Sequence, residues 1–306
     1  MTPAVSIVVP TVGRPALLRA ALASVVGQSR GDWEAIVVDE GGLDETRTVV
    51  ESFADERIVL HRQSRRVGIV ENWGTGVRLA GGEFVVFLAD DDRLSPGFLD
   101  TRLAALSSRR DLVVAFAAFE VRRKDGTLVR VQGGDWADRR EFEGPGLLTE
   151  ALSARWFVGA ALYRREPVLE LWPRLHDDGL VLDLGLNVRL ALLPFARGVA
   201  LPGRNFVMLS HSGQNTEALQ DRVWAEKNAV LHRIESEVDD DASRRAIAAE
   251  RASWLTVWGR DRAARDDLAT ARRRFAQAVA ANPRSRWAWS QLAISLLSPR
   301  RLMRDR

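Results

Sequence analysis

Three consecutive aspartates, Asp90, Asp91 and Asp92, follow the apolar run at residues 84–89. Three like charges at the end of a buried strand are costly unless a positive group neutralises them. Hard divalent cations bind carboxylate oxygens, and Mg²⁺ often completes its coordination shell with phosphate oxygens of a substrate. The triplet therefore predicts either a divalent-metal site or a set of caps for a helix near Pro96, because Asp is favoured at helix starts.

The elements before the triplet alternate between strand and helix patterns. Apolar, β-rich runs at residues 5–9, 35–38, 57–60 and 84–89 are separated by helix-like spacing at 17–26, 46–53 and 69–79. Nearly continuous apolar strands alternating with helices are typical of a parallel sheet covered on both faces. The sequence thus predicts an α/β fold with a Rossmann-like, mostly parallel sheet.

Polar residues follow each of these four strands. The first is followed by Pro10, Thr11 and Arg14, the second by Asp39, the third by Arg66, and the fourth by the triplet. Ligands of open α/β sheets bind at the carboxyl ends of the strands. We therefore expect these residues to line one cleft.

The remaining sequence divides into two regions. The pattern predicts strands at residues 111–119 and 205–209, a hairpin at 121–131 that turns at 124–127, and a helix at 181–193. It also predicts a loop at 132–146 that could act as a lid, and a core segment at 157–163. From residue 215 the pattern is helical throughout. We expect a domain at 1–214, with two halves at 1–110 and 111–214, and a helical appendage at 215–306.

Composition limits the function classes. There is no cysteine, which excludes disulfides and thiolate metal sites, and no apolar run approaches the length of a membrane-spanning helix. The start lacks a signal-peptide pattern, so a cytoplasmic protein is expected. The net charge of +3 gives no reason to expect nucleic acid as a partner. Residues 259–306 hold 12 Arg and 4 Asp, a basic surface that either stays solvated or meets an anionic partner such as a membrane.

Taken in order, several segments resemble family 2 glycosyltransferases of the GT-A fold. They are residues 5–11, residues 36–41 with Asp44, Gly68 with Asn72, residues 82–84 and residues 88–96, and the resemblance covers about residues 4–215. It implies inverting transfer of a sugar from a nucleotide-diphosphate donor, with UDP- or dTDP-sugars favoured, to an acceptor hydroxyl. It also implies Mn²⁺ or Mg²⁺ as the cofactor, a nucleotide-sugar half at 1–110 and an acceptor half at 111–214.

The resemblance also assigns roles to the acids of the triplet. Asp91 takes the position of the principal metal ligand, and Asp90 that of an acid facing the ribose or the metal. Asp92 could be a second ligand, a water holder or a cap. Ala89 replaces the first acid of the commonest pattern, which affects the coordination expected here. His211 resembles a terminal histidine that binds the metal or the donor diphosphate.

The same resemblance assigns the nucleotide contacts. Asp39 matches an acid that reads the nucleobase, with capping of the turn at Gly41 as the alternative. Pro10, Thr11 and Arg14 lie in the first strand-to-helix loop, which suits a nucleotide. Arg66 resembles a position that contacts the base or a phosphate.

Transfer with inversion needs a second acid as general base. Residues 182–189 resemble the helix that carries this base, with Asp183 in the base position and Leu182 replacing the usual Glu. Capping of that helix is the structural alternative for Asp183. Asp177 and Asp178 are rivals, but we expect them to form an exposed turn.

Alternatives to this function remain open. Ala89 and Leu182 would also suit a nucleotide-sugar-binding protein without catalysis, and a sugar nucleotidyltransferase would share the sheet and the acids. The loop at residues 10–14 is too poor in glycine for the latter. For the transferase, the acceptor could be a glycan, a lipid-linked sugar or a small molecule, in polysaccharide, cell-envelope or natural-product glycosylation. The helical appendage could contact the inner face of a membrane peripherally or form a homo-oligomer.

Overall fold

The computed structural model describes residues 2–42, 44–134, 136–153, 155–210 and 219–297. The chain divides into two compact units, Met1–Gln214 and Asn215–Arg306, and each unit is described by itself. Among the described residues, no helix is both long and apolar enough to cross a bilayer.

The first unit begins with the alternating elements that the sequence predicts. They are β1 (Val5–Thr11), α1 (Pro15–Val26), β2 (Trp33–Asp39), α2 (Asp44–Glu51), β3 (Ile58–Arg62), α3 (Ile69–Leu79) and β4 (Phe84–Phe87). Every residue of β1 and β4 is buried, as expected for strands covered on both faces.

The second half of this unit is more varied. Its elements are β5 (Arg93–Leu94), α4 (Phe98–Ser107), β6 (Leu112–Ala117), β7 (Phe119–Arg123), β8 (Leu128–Gln132), β9 (Arg140–Glu143), α5 (Gly144–Leu152), β10 (Ala161–Arg164), α6 (Arg165–Leu171), α7 (Leu182–Ala191), β11 (Arg197–Leu201) and β12 (Phe206–Ser210). Short 3₁₀ helices occur at Val158–Ala160, Trp172–Leu175 and Gly179–Val181.

The main sheet has eight strands in the order β3-β2-β1-β4-β10-β6-β11-β9. Neighbours in β3-β2-β1-β4 are parallel, whereas β10 is antiparallel to both β4 and β6. Strand β11 is parallel to β6 and antiparallel to β9. The parallel half therefore brings the carboxyl ends of β1, β2 and β4 to one edge.

A smaller sheet has the strand order β5-β12-β7-β8, and its strand β5 directly follows the triplet in sequence. Its hairpin β7–β8 is antiparallel, which confirms the hairpin predicted at residues 121–131. The prediction of a loop at residues 132–146 is wrong from residue 140 onward, because β9 pairs with β11 there and α5 follows. The four residues of β9 are mostly charged and exposed, and their backbone partners come from β11, more than fifty residues later.

Helix α3 lies very close to the sheet. A side chain at Gly76 would clash with Val8 of β1, and one at Gly74 would clash with Trp172. Glycine permits this close approach of helix and strand. The beginning of α3 is fixed in turn by Asn72, whose Nδ2 donates to Val38 O at 3.0 Å.

The second unit is helical, as the sequence predicts. It contains α8 (Gln220–Glu237), α9 (Asp241–Ala264), α10 (Leu268–Ala281) and α11 (Arg286–Leu297). Asp240 and Asp267 cap α9 and α10 by accepting from Ser243 N at 2.7 Å and Thr270 N at 3.0 Å. These caps satisfy backbone donors that each helix start would otherwise leave unpaired.

Candidate active site

Asp90 is bonded to two groups from the β1–α1 loop. It is fully buried, and its Oδ2 accepts from Thr11 Oγ1 at 2.6 Å and from Arg14 Nε at 3.2 Å. Arg14 Nη2 also donates to Asp90 Oδ1. Burial raises the pKa of Asp90 to about 6, although the charge of Arg14 and the bond from Thr11 oppose the rise. Asp90 therefore joins the carboxyl ends of β1 and β4.

Arg14 also reaches the next acid of the triplet. Its Nη1 donates to Asp91 Oδ2 at 2.9 Å, so one guanidinium bonds to two adjacent carboxylates. Arg14 immediately precedes Pro15, the first residue of α1. Here a guanidinium provides part of the positive charge that the triplet requires.

Asp92 is hydrogen-bonded to a strand of the smaller sheet. Its Oδ1 accepts from Leu209 N of β12 at 3.0 Å, and its own N–H donates to Ala89 O at 3.0 Å. Burial, followed by the charge of Asp91, raises the pKa of Asp92 well above its usual range. The helix-cap alternative for the triplet is wrong, because α4 begins at Phe98 after Gly97 without a side-chain cap. His211 follows β12 directly, but it lies outside the described residues.

The donor set fits a divalent cation that shares its shell with a phosphate. Within the described ranges, no group of three or more acidic or histidine side chains is arranged to hold an ion alone. Asp91 is the least buried acid of the triplet, with 12% of its side chain exposed. Because Mg²⁺ is commonly bound by one or two carboxylates plus substrate phosphates, this carboxylate is suited to that role.

Asp39 ends β2 next to Thr11. The two residues are register partners, and Asp39 is fully buried. Its Oδ1 accepts from Gly41 N at 2.8 Å, which is the turn cap that the sequence allows. Its Oδ2 is buried, makes no hydrogen bond within the described part of the chain and lies 4.0 Å from Arg62 Nε. A buried carboxylate oxygen of this kind needs a donor, and a ligand can provide one.

Arg62 is not identified by the sequence analysis as a residue of the site. It ends β3 as the register partner of Asp39 and also pairs with Asp44. Its place at the carboxyl end of a predicted strand was the signal that could have identified it. Arg66, the residue expected there, is exposed in the segment between β3 and α3. Pro10 is buried inside β1, where its neighbour in β2 is Val38.

Asp183 occupies the first turn of α7, as predicted for the general base. A closed set of hydrogen bonds holds this helix: Trp156 Nε1 donates to Tyr163 Oη at 2.9 Å, Tyr163 Oη to Asn187 Oδ1 at 2.8 Å, and Asn187 Nδ2 to Trp156 O at 3.0 Å. Burial raises the pKa of Tyr163, and the charge of Asp183 adds to the rise. Asn187 therefore attaches the helix that carries Asp183 to Tyr163.

The main sheet connects Asp183 to the triplet. Tyr163 lies on β10 and is the register partner of Val85 on β4, the strand that leads to Asp90. Helix α7 and the triplet are thus attached to neighbouring strands. One edge of the sheet carries the triplet, Thr11, Arg14 and Asp39. Helix α7, which carries Asp183, is bonded to β10 through Asn187 and Tyr163.

Asp178 differs from the expected exposed turn. It is fully buried, and its Oδ2 accepts from Arg189 Nη1 at 2.6 Å. A side chain at Gly185 would clash with this carboxylate. The adjacent Asp177 is exposed, as expected. The prediction failed for Asp178 because its partner, Arg189, lies 11 residues later, in the following helix.

The family is shown by comparison with known proteins. The family model described as glycosyl transferase family 2 matches residues 6–172, more than half of the chain. The chain belongs to glycosyl transferase family 2. This result confirms the family and the transferase class that the motifs predict.

The curated relatives match only part of this chain. A PGL/p-HBAD biosynthesis glycosyltransferase of Mycobacterium tuberculosis is 38% identical over 106 residues, which are 34% of this chain and 41% of the relative. A GalNAc(5)-diNAcBac-PP-undecaprenol beta-1,3-glucosyltransferase of Campylobacter jejuni is 34% identical over 148 residues, 47% of this chain and 44% of the relative. The alignments therefore span less than half the length of these relatives.

Solved structures confirm the GT-A fold. Staphylococcus aureus TarS 1-349 in complex with UDP-GlcNAc has a TM-score of 0.66 at 16% identity, over 98% of this chain and 90% of that one. The mannosyltransferase PcManGT from Pyrobaculum calidifontis, in complex with GDP-Man and Mn²⁺, has a TM-score of 0.59 at 18% identity. That match covers 98% of this chain and 83% of the other. At these identities the likeness concerns the fold alone.

Proposed function

We propose that this protein transfers a sugar from a nucleotide-diphosphate donor to an acceptor hydroxyl, with inversion at the sugar. The observation that carries the proposal is the buried Asp39 Oδ2, which makes no hydrogen bond in the described structure, beside the Thr11–Asp90–Arg14 cluster. A uracil or thymine ring presents one N–H that this oxygen can accept. UDP- and dTDP-sugars are therefore the favoured donors.

The residues of the cleft have separate tasks in this proposal. Asp39 orients the base, while Pro10, Thr11 and Arg14 shape the loop that faces the nucleoside. Asp90 holds that loop against the ribose side of the cleft, and the exposed Arg66 reaches the base or a phosphate. Arg62 keeps positive charge 4.0 Å from Asp39 when no base is bound.

The cofactor proposed for this site is Mn²⁺ or Mg²⁺. Asp91 would hold the cation, with Asp92 and His211 as further ligands. When bound, the cation supplies positive charge to the leaving diphosphate. The Mn²⁺ in the PcManGT complex supports the use of such an ion in a related fold.

Asp183 is proposed as the general base. In an in-line displacement, the acceptor hydroxyl attacks the sugar from the face opposite the leaving diphosphate, and a carboxylate there takes its proton. Asp183 lies in the first turn of α7, whose position is fixed by Tyr163 and Asn187. Its partial exposure allows an acceptor to approach.

A lipid-linked glycan is the proposed acceptor. The Campylobacter jejuni relative is named for an undecaprenol-diphosphate acceptor, although it matches less than half of this chain. This would place the reaction in cell-envelope glycosylation. The enzyme would then work in the cytoplasm, in peripheral contact with the inner face of the membrane.

The test measures thermal stabilisation by UDP-, dTDP- and GDP-sugars, with and without Mn²⁺. We expect a uracil or thymine donor with Mn²⁺ to raise the melting temperature of the wild type, because ligand binding stabilises the folded state. Asp39→Asn should lose most of that shift, since an amide replaces one of the acceptor oxygens. Asp125→Asn, in the exposed β7–β8 turn, is the matched control. No shift with any donor, or an unchanged shift in Asp39→Asn, would contradict the proposal.

A further inference from the structure

Helix α11 exposes an apolar face. Trp289 is 52% exposed, Leu296 59% and Leu297 83%. These residues and the exposed Ala293 recur at helical spacing, so they lie on one side of the helix. The opposite side is buried through Ala288 and Ser295. Large apolar side chains grouped on an exposed helix face indicate an interaction surface.

The hairpin that carries this face has charges of one sign. Residues 268–297, which form the hairpin of α10 and α11, contain five Arg and neither Asp nor Glu. Residues 219–267 of the same unit contain nine Lys and Arg against eleven Asp and Glu. Positive charge is therefore concentrated in the hairpin that carries the apolar face, and residues 298–306 add four Arg and one Asp.

Two of these arginines, at the start of α11, are exposed and can meet an external partner. Arg284 and Arg286 are exposed at the start of α11, close in sequence to Trp289. Trp289 Nε1 donates to Pro283 O at 2.9 Å, which fixes the indole at this end of the helix. By contrast, Arg272 donates to Ser295 O at 2.8 Å and Arg274 lies over Trp258, so these two stabilise the unit itself.

We propose that the outward face of α11 docks on a membrane that contains anionic lipids. Leu296 and Leu297 would enter the boundary of the acyl chains, Trp289 would lie at the headgroup level, and Arg284 and Arg286 would meet lipid phosphates. This inference rests on the proposed function, and it names the surface through which the enzyme would contact the membrane. It depends on charge and exposure in the second unit and makes no use of catalysis.

The experiment measures binding of the full chain to sedimenting vesicles. The vesicles are phosphatidylcholine alone, or phosphatidylcholine mixed with phosphatidylglycerol. We expect binding to the anionic vesicles that weakens as salt rises, with far less binding to the neutral ones. Leu296→Ser/Leu297→Ser should lower the partition coefficient about tenfold or more, since two exposed leucines supply most of the buried apolar area. Leu128→Ser, an exposed leucine of β8, is the matched control.

A second pair of variants tests the charges. Arg284→Gln/Arg286→Gln should reduce binding to anionic vesicles about tenfold or more and leave the weak binding to neutral vesicles unchanged. Wild-type binding that is equal for both vesicles, or unaffected by either double variant, would overturn the proposal. A second copy of the chain is the competing occupant. Light scattering that shows an oligomer, dissociated by Leu296→Ser/Leu297→Ser with vesicle binding unaffected, would also overturn it.

The two proposals can fail separately. Donor stabilisation is measured without vesicles, and vesicle binding is measured without donor. A protein that binds donor but not vesicles would refute the docking surface alone, whereas the reverse result would refute the proposed donor site alone.

Discussion

At the scale of single residues, the charge balance around Asp91 bears on the proposed cation binding. Arg14 Nη1 donates to Asp91 Oδ2 while the rest of the same guanidinium bonds to Asp90. A divalent cation on Asp91 would therefore meet a positive group already present. Arg14 must release Asp91, or share it, before the cation can take this oxygen.

Substitutions of Arg14 and of Asp91 should change the affinity for Mn²⁺ in opposite directions. Arg14→Gln should raise the affinity for Mn²⁺ about three- to tenfold without donor, because a competing charge is removed. Asp91→Ala should abolish measurable binding. Titration calorimetry with Mn²⁺ alone measures both, and Arg19→Gln on the exposed side of α1 is the control. Weaker binding by Arg14→Gln would show that Arg14 does not compete.

At the scale of elements, α7 depends on a buried ion pair. Asp178 precedes the helix, Arg189 lies near its end, and both are almost fully buried. Gly185 leaves the room that the Asp178 carboxylate occupies. This pair therefore fixes the helix that carries Asp183, in addition to the bonds made by Asn187.

Removal of one partner should destabilise the protein strongly. Asp178→Ala leaves Arg189 charged and buried, so we expect the free energy of unfolding to fall by about 3–5 kcal/mol. Asp177→Ala should change it by about 0.5 kcal/mol or less, because that side chain is exposed. Denaturation in urea measures both. Equal, small effects from the two substitutions would refute the role assigned to Asp178.

Elements differ in how far the sequence could predict them. The strands β1, β2 and β4 are mostly apolar runs, and their burial on both faces follows from that pattern. The edge strand β3 is only partly buried. The hairpin β7–β8 could be predicted from Asp125-Gly126 in its turn. Strand β9 could not, because its residues are mostly charged and its pairing is with the distant β11. The pairing of Asp178 with Arg189 escaped prediction for the same reason: it depends on tertiary contact.

At the scale of the whole molecule, the parallel half of the sheet assembles the candidate site. Adjacent strand ends bring together Thr11, Asp39 and Asp90, which are far apart in sequence. The sequence placed these residues at strand ends but did not show which of them bond to each other. It assigned Arg14 to the nucleotide but did not show that the same guanidinium bonds to Asp90 and Asp91. It also passed over Arg62, whose role depends on strand register.

The most direct test of the proposed transfer is release of nucleoside diphosphate from the donor that stabilises the protein, measured with Mn²⁺ and acceptor. We predict turnover by the wild type. Asp183→Asn should keep the donor-induced rise in melting temperature but lose about 10²- to 10⁴-fold in rate, the usual contribution of a general base. Near-normal transfer by Asp183→Asn would contradict the role of Asp183 as base. Tight donor binding without any turnover by the wild type would contradict the transferase itself.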